Sequence, residues 1–252
     1  MRPESSITKY MVTRWKSYRG AALYCQSSLL QRLVTVGKFV TIGDSTLYAG
    51  DCRDVLPDLR ADVMITDPVW PNAPAGMFPD VPCPESLLKE AFWEMAWLDR
   101  AVIVLRSDSD PRFLRAVPER LPFFLAQVLQ YVMPGYIGRK LGGNEIAYSF
   151  GAPAKSEPGR RVIPGMSPKV QPKGRAANGH PCSRAYEHFE WLMRWHSDAG
   201  QTVIDPFMGS GTTGFAAIKA GRKFIGIEIN PEYFDIACER IERAHDQYRL
   251  FA

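Results

Sequence analysis

Short apolar runs alternate with stretches of helical spacing along most of the chain. Two runs, 62–66 (DVMIT) and 101–105 (AVIVL), lack the apolar/polar alternation of a strand with one wet face. They read as buried parallel strands. Residues 39–49, FVTIGDSTLYA, read as a hairpin with Gly43-Asp44 at its turn. Residues 85–98 place Leu88, Phe92 and Met95 on one side of a predicted helix. A β-rich stretch follows over 121–133 and 144–150. After a long interruption come a helix over 183–196, a strand over 202–204, a helix over 212–220, a strand over 223–229 and a helix over 231–247. Strands alternating with helices in both halves predict an α/β fold with a mainly parallel sheet.

The interruption, residues 151–181, holds Pro153, Pro158, Pro164, Pro168, Pro172 and Pro181. A loop of that length inside a compact domain is functional or disordered. It also carries Lys155, Arg160, Arg161, Lys169, Lys173 and Arg175 against Glu157. A second basic stretch lies at the start, where Arg2, Lys9, Arg14, Lys16, Arg19, Arg32 and Lys38 face Glu4 alone. The chain's net charge of +4 is therefore concentrated in two segments on a near-neutral body. That distribution suits a polyanionic partner, and equally a pair of solvated basic segments.

At 252 residues and 46% hydrophobic content, the chain can build a full-sized core. No apolar run approaches the length of a membrane span. The first residues lack the apolar centre of a secretory signal, so a cytoplasmic protein without membrane attachment is expected. Cys25, Cys52, Cys83, Cys182 and Cys238 are scattered and odd in number, as reduced thiols would be. His180, Cys182, His188 and His196 match no standard metal-site spacing, and no metal is expected.

Residues 202–230 carry the sharpest chemical signal. A strand ends at Asp205-Pro206, the turn Phe207-Met208-Gly209-Ser210-Gly211-Thr212 opens a helix, and a second strand ends on Glu228. Gly209 and Gly211 let backbone pass close to a ligand, and the helix start offers free N–H groups. An acid at the end of the second strand commonly grips ribose hydroxyls. The order suits an adenosine-like ligand. It is not a phosphate-cradling loop, since no Gly-Lys-Ser/Thr follows.

The buried run at 62–66 exits into Asp67-Pro68-Val69-Trp70. Ligands of parallel sheets sit at the carboxyl ends of strands, so Asp67 and the 207–212 loop are expected to face one pocket. Asp67 and the carbonyl of Pro68 are two acceptors suited to an NH2 group. Trp70 offers a flat face for a stacked ring. Arg106-Ser107-Asp108-Ser109-Asp110 ends another strand and reads either as a site edge or as a cap before Pro111.

The two motifs together resemble the amino-methyltransferases of DNA, whose catalytic tetrapeptide is usually (D/N/S)-P-P-(Y/F/W) and whose cofactor motif looks like D-P-F-x-G-x-G-T. The catalytic motif comes first here, as in the permuted β class. Residues 48–59, YAGDCRDVLPDL, and 178–192, NGHPCSRAYEHFEWL, resemble two further segments of that class. The pattern is similar to solitary phage and prophage enzymes. The resemblance implies a Rossmann-like S-adenosylmethionine methyltransferase fold with helices on both faces. It implies a basic extension over 1–38 and a methyltransferase domain over 39–252, with target recognition inserted around 107–177. It implies catalysis by Asp67, Pro68, Val69 and Trp70. The cofactor would be S-adenosylmethionine, leaving S-adenosylhomocysteine. Its implied contacts are Asp51, Cys52, Asp67, His180, Pro181, Asp205, Pro206, Phe207, Gly209, Ser210, Gly211, Thr212, Glu228 and Ile229. The partner would be DNA, held by Lys155, Arg160, Arg161, Lys169, Lys173 and Arg175. Adenine N6 is favoured over cytosine N4 by the aspartate. The oligomeric state stays open, a homodimer being one option. Val69 replaces the second proline, and HPCSRA carries Arg184 where the family has lysine. An inactive DNA-binding relative and an enzyme acting on RNA or a small molecule are the alternatives.

Overall fold

The computed structural model describes residues 38–73, 81, 83–132, 144–152, 163–171 and 184–251, all within the unit Val36–Ala252. The expectations for the extension before Lys38, and for His180, Pro181, Lys155, Arg160, Arg161, Lys173 and Arg175, lie outside the described residues.

Phe39–Ile42 (β1) and Ser45–Ala49 (β2) form the expected hairpin, paired Ile42 to Ser45 across the Gly43-Asp44 turn. Gly43 takes φ +55°, which a side chain rarely adopts. Val63–Thr66 (β3) and Arg100–Arg106 (β4) are the two buried runs. Phe123–Leu129 (β5), Glu145–Gly151 (β6), Thr202–Asp205 (β7) and Lys223–Glu228 (β8) complete one sheet of order β1-β2-β8-β7-β3-β4-β6-β5. The pairs from β2 through β8, β7 and β3 to β4 are parallel, while β1, β6 and β5 add antiparallel edges.

Both faces of this sheet are covered, which is why its central strands carry no polar alternation. Tyr186–His196 (α3), Thr212–Lys219 (α4) and Pro231–Phe251 (α5) pack on one face, where Phe189, Ala217 and Ile241 meet Val63, Ile65 and Val203. Cys52–Val55 (α1) and Pro84–Glu94 (α2) pack on the other, where Val55, Leu88 and Phe92 meet Met64, Ile103 and Ile204. Phe189 of α3 lies in the core.

Helix α2 stops four residues short of its apolar pattern. Arg120 donates to the carbonyls of Met95 and Leu98, so the chain turns there while both side chains stay buried.

Strands β3 and β7 are neighbours, but the chain leaves them in opposite directions. From β3 it passes through α2 to β4, and from β7 through α4 to β8. The crevice between two such crossovers is where open α/β sheets bind ligands. Asp67 and the Asp205–Thr212 turn both emerge there.

Candidate active site

The turn after β3 is anchored by its indole. Trp70 is 8% exposed and joins the core beneath α2. Its Nε1–H donates to the carbonyl of Val104 in β4 at 3.3 Å. Two residues on, Ser109 Oγ donates to Asn72 Oδ1 at 2.9 Å. The strand-end segment 106–110 thus braces the turn, while Asp110 caps the short 3-10 turn Pro111–Ala116 by accepting from Arg112 N. Trp70→Phe should keep the packing and lose the hydrogen bond, costing about 1 kcal/mol in urea unfolding. Trp70→Ala should cost about 3–5 kcal/mol, because it also opens a cavity.

Trp70 is not the open platform that the sequence suggests. The Arg184 guanidinium lies 3.8 Å from its ring centroid, and that of Arg106 lies 5.4 Å away. Arg184 Nε also donates to Asp67 Oδ2 at 2.6 Å and stands 3.2 Å from Glu145 Oε1. Tyr131 completes the chain, its hydroxyl donating to Glu145 Oε2 at 3.0 Å. The other Asp67 oxygen, Oδ1, is buried and has no hydrogen-bond partner among the described residues. Burial pushes the Asp67 carboxyl up to about 6; Arg184 pulls it down and Glu145 pushes it up again.

Asp205 faces inward. It is 1% exposed and accepts from Thr66 Oγ1 at 2.7 Å, Thr213 Oγ1 at 2.6 Å and Phe207 N at 3.1 Å. Oδ1 accepts twice and Oδ2 once, which joins β3, β7 and α4, so this side chain shapes the turn. Burial pushes its carboxyl up to about 6 as well. Asp51 is similarly committed, since Arg53 wraps its carboxylate through Nε, Nη2 and the backbone N–H. Cys52 is buried in the core, where desolvation pushes its thiol up to about 12.

Glu228 keeps capacity. Oε2 accepts from Gly209 N and Oε1 from Asn230 N, each at 2.8 Å, leaving a lone pair on each oxygen. Burial pushes its carboxyl up. Ile229 beside it is 53% exposed at the end of β8. In the turn itself, Gly209 and Gly211 take φ of +53° and +79°. A Cβ on Gly211 would lie 3.0 Å from that of Ala237 on α5, so this glycine answers to the helix behind it as well as to a ligand in front. Ser210 and Thr212 are buried, and both accept from Arg240 of α5. Pro206 is buried and Phe207 half-buried in the same turn.

Sequence reasoning missed Arg184 as a site residue, and with it Glu145, Tyr131, Thr66, Thr213 and Arg240. A signal existed for Glu145, an acid opening an otherwise apolar strand. Of the basic residues, Lys169 is exposed on segment 163–171, which runs beside β5 through parallel bridges Val128 to Met166 and Tyr131 to Val170. Pro68 is buried and Val69 half-buried; nothing in the structure explains the valine.

The fold recurs in solved structures. The M1.HpyAVI–SAM complex superposes with a TM-score of 0.57 at 24% identity, covering 78% of this chain and 98% of that one. PvuII DNA methyltransferase (cytosine-N4-specific) gives 0.58 at 16%, covering 85% and 95%. At these identities the likeness establishes the fold: Rossmann-like, of the kind built by methyltransferases, here with the strand that ends before Asp67 ahead of the glycine turn. The family model for DNA methylases of the N6/N4 type matches residues 69–239, well over half of the chain, and the chain belongs to that family. DNA adenine methyltransferase YhdJ of Escherichia coli (strain K12) is 45% identical over 65 residues, 26% of this chain and 22% of that protein.

Proposed function

We propose that the protein transfers a methyl group from S-adenosylmethionine to the exocyclic amine of a DNA base turned out of its helix, adenine N6 in the first instance. The observation that carries this reading is the buried Asp67 Oδ1 at the switch point, unpartnered among the described residues. A buried acceptor without a donor is costly, and an amine N–H is the donor such a site awaits.

The residues present suit the cofactor. Glu228 retains lone pairs for ribose hydroxyls, the exposed Ile229 offers an apolar surface to a purine, and the Gly209–Gly211 turn gives close backbone approach. Asp205 acts by fixing that turn. When bound, S-adenosylmethionine supplies a methyl group on a sulfonium centre. Asp67 and the Pro68 carbonyl accept the two amine hydrogens and hold the nitrogen lone pair out of the ring plane, toward the methyl donor. Asp67 need not be a strong base, because the methylated amine is acidic enough to lose its proton readily. Positioning and electrostatics therefore supply the catalysis. The same acceptors suit cytosine N4.

Lys169, together with Lys155, Arg160, Arg161, Lys173 and Arg175, is assigned to phosphates, within a target-recognition region around 107–177 of a domain spanning 39–252. Phosphate contacts make binding salt-dependent. Among the described residues no helix is long and apolar enough to cross a membrane. A DNA substrate is the support for a cytoplasmic location.

Tritium transfer from labelled S-adenosylmethionine to plasmid DNA from a methylation-free host tests the reading; no incorporation would overturn it. The pH dependence has a sign. The ionised Asp67 is the stronger acceptor of an amine hydrogen, so the rate should rise through about pH 6 and level off above it. The stability contribution runs the other way. Asp67 and Asp205 sit near 6 in the folded protein against 3.8 otherwise, so the native state holds extra protons between these values. The contribution of these two groups is lost as pH rises through that window. Tm measured from pH 5 to 7 should fall for the wild type and fall less for Asp67→Asn.

A further inference from the structure

The Arg184 guanidinium covers the Trp70 face proposed for the target base and is bonded to the carboxylate proposed for its amine. It lies 3.8 Å from the Trp70 ring centroid and donates to Asp67 Oδ2 at 2.6 Å. Like a base it is flat, and like an exocyclic amine it carries N–H donors. Arg184 and a base cannot occupy that place together. A second acceptor stands beside the first, Glu145 Oε1 at 3.2 Å from the same Nε. Its carboxylate is oriented from behind by the Tyr131 hydroxyl, and its side chain is only 7% exposed. Burial and the neighbouring Glu145 keep Tyr131 protonated, so it remains a donor. A cation leaving Asp67 for an unpaired buried position would carry a heavy desolvation cost. Moving between two carboxylates, it stays paired throughout.

Resting on the methyl-transfer reading, we propose that Arg184 holds the target base's place in the free protein and that Glu145 receives it when the base enters. Arg184 and Glu145 are then positioning residues. Arg184 competes with the base for Asp67 and Trp70, and Glu145 acts only through Arg184.

Steady-state methylation of plasmid DNA from a methylation-free host tests this with Glu145→Gln, Arg184→Met and the double variant. Glu145→Gln leaves Arg184 with Asp67 as its one anionic partner among the described residues. It should raise KM for DNA by about tenfold with kcat changed less, a tenfold shift being the scale on which one ion pair discriminates. Arg184→Met should not raise that KM, and should move the acid limb of the rate profile to higher pH. In the double variant the Glu145→Gln effect should vanish. An equal rise in KM with and without Arg184 would overturn the proposal, as would a rise from Arg184→Met alone. If the wild type transfers no methyl group, the proposed function fails separately. The Arg184–Asp67 pairing is then judged by unfolding of Asp67→Asn, Arg184→Met and their double variant: Tm losses that simply add would overturn it, and with it the placeholder.

Discussion

Asp67→Ala should lower methyl transfer to DNA by about 100- to 1,000-fold, the loss typical when an oriented polar group at the reacting atom is removed. Cofactor affinity should change little by comparison, because the turn that shapes the cofactor site is held by Asp205, Thr66, Thr213 and Arg240. Tritium incorporation and titration calorimetry separate the two. The variant also strands Arg184, whose remaining carboxylate neighbour in this chain of contacts is Glu145. Asp67→Asn is therefore the companion. It keeps an acceptor oxygen and the volume but removes the charge, and activity surviving in both variants would remove Asp67 from the mechanism.

Gly211→Ala should damage folding and cofactor binding together. The left-handed backbone at φ +79° costs a side chain about 1–2 kcal/mol. The added Cβ would press on Ala237 Cβ at 3.0 Å and Cα at 3.1 Å, an overpacking worth a further ~1–3 kcal/mol. Since α5 cannot yield without disturbing the face it packs on, the turn must shift instead. Cofactor affinity should drop by more than about tenfold, the change that ~1.4 kcal/mol produces. Gly165→Ala is the control: nothing lies within 4 Å of its added Cβ, and Tm should hold.

Much of the frame was legible because its physics is local. An apolar run without alternation, as at Val63–Thr66, has to be buried on both faces, and a glycine turn between strand and helix has few other uses. Those features brought Asp67 and the Gly209–Gly211 turn to one crevice before any coordinates. The long-range pairings were not legible. Arg184 and Glu145 come from a helix entry and an edge strand, and only the sheet order places both against Asp67. Asp205 illustrates the same limit. Its position in the motif marks it as important, but its inward orientation depends on Thr66, a residue of another strand. Trp70 read correctly as a ring at the strand end, yet its burial and the guanidinium over its face come from β4 and the start of α3.

The account's central claim is methyl transfer to an exocyclic amine. Expression in a methylation-free host, followed by mass spectrometry of the nucleosides from its DNA, tests it most directly. The prediction is N6-methyladenine, absent when Asp67→Ala is expressed to the same level. DNA carrying no methylated nucleoside, or methyl on carbon 5 of cytosine in place of an exocyclic nitrogen, would contradict it.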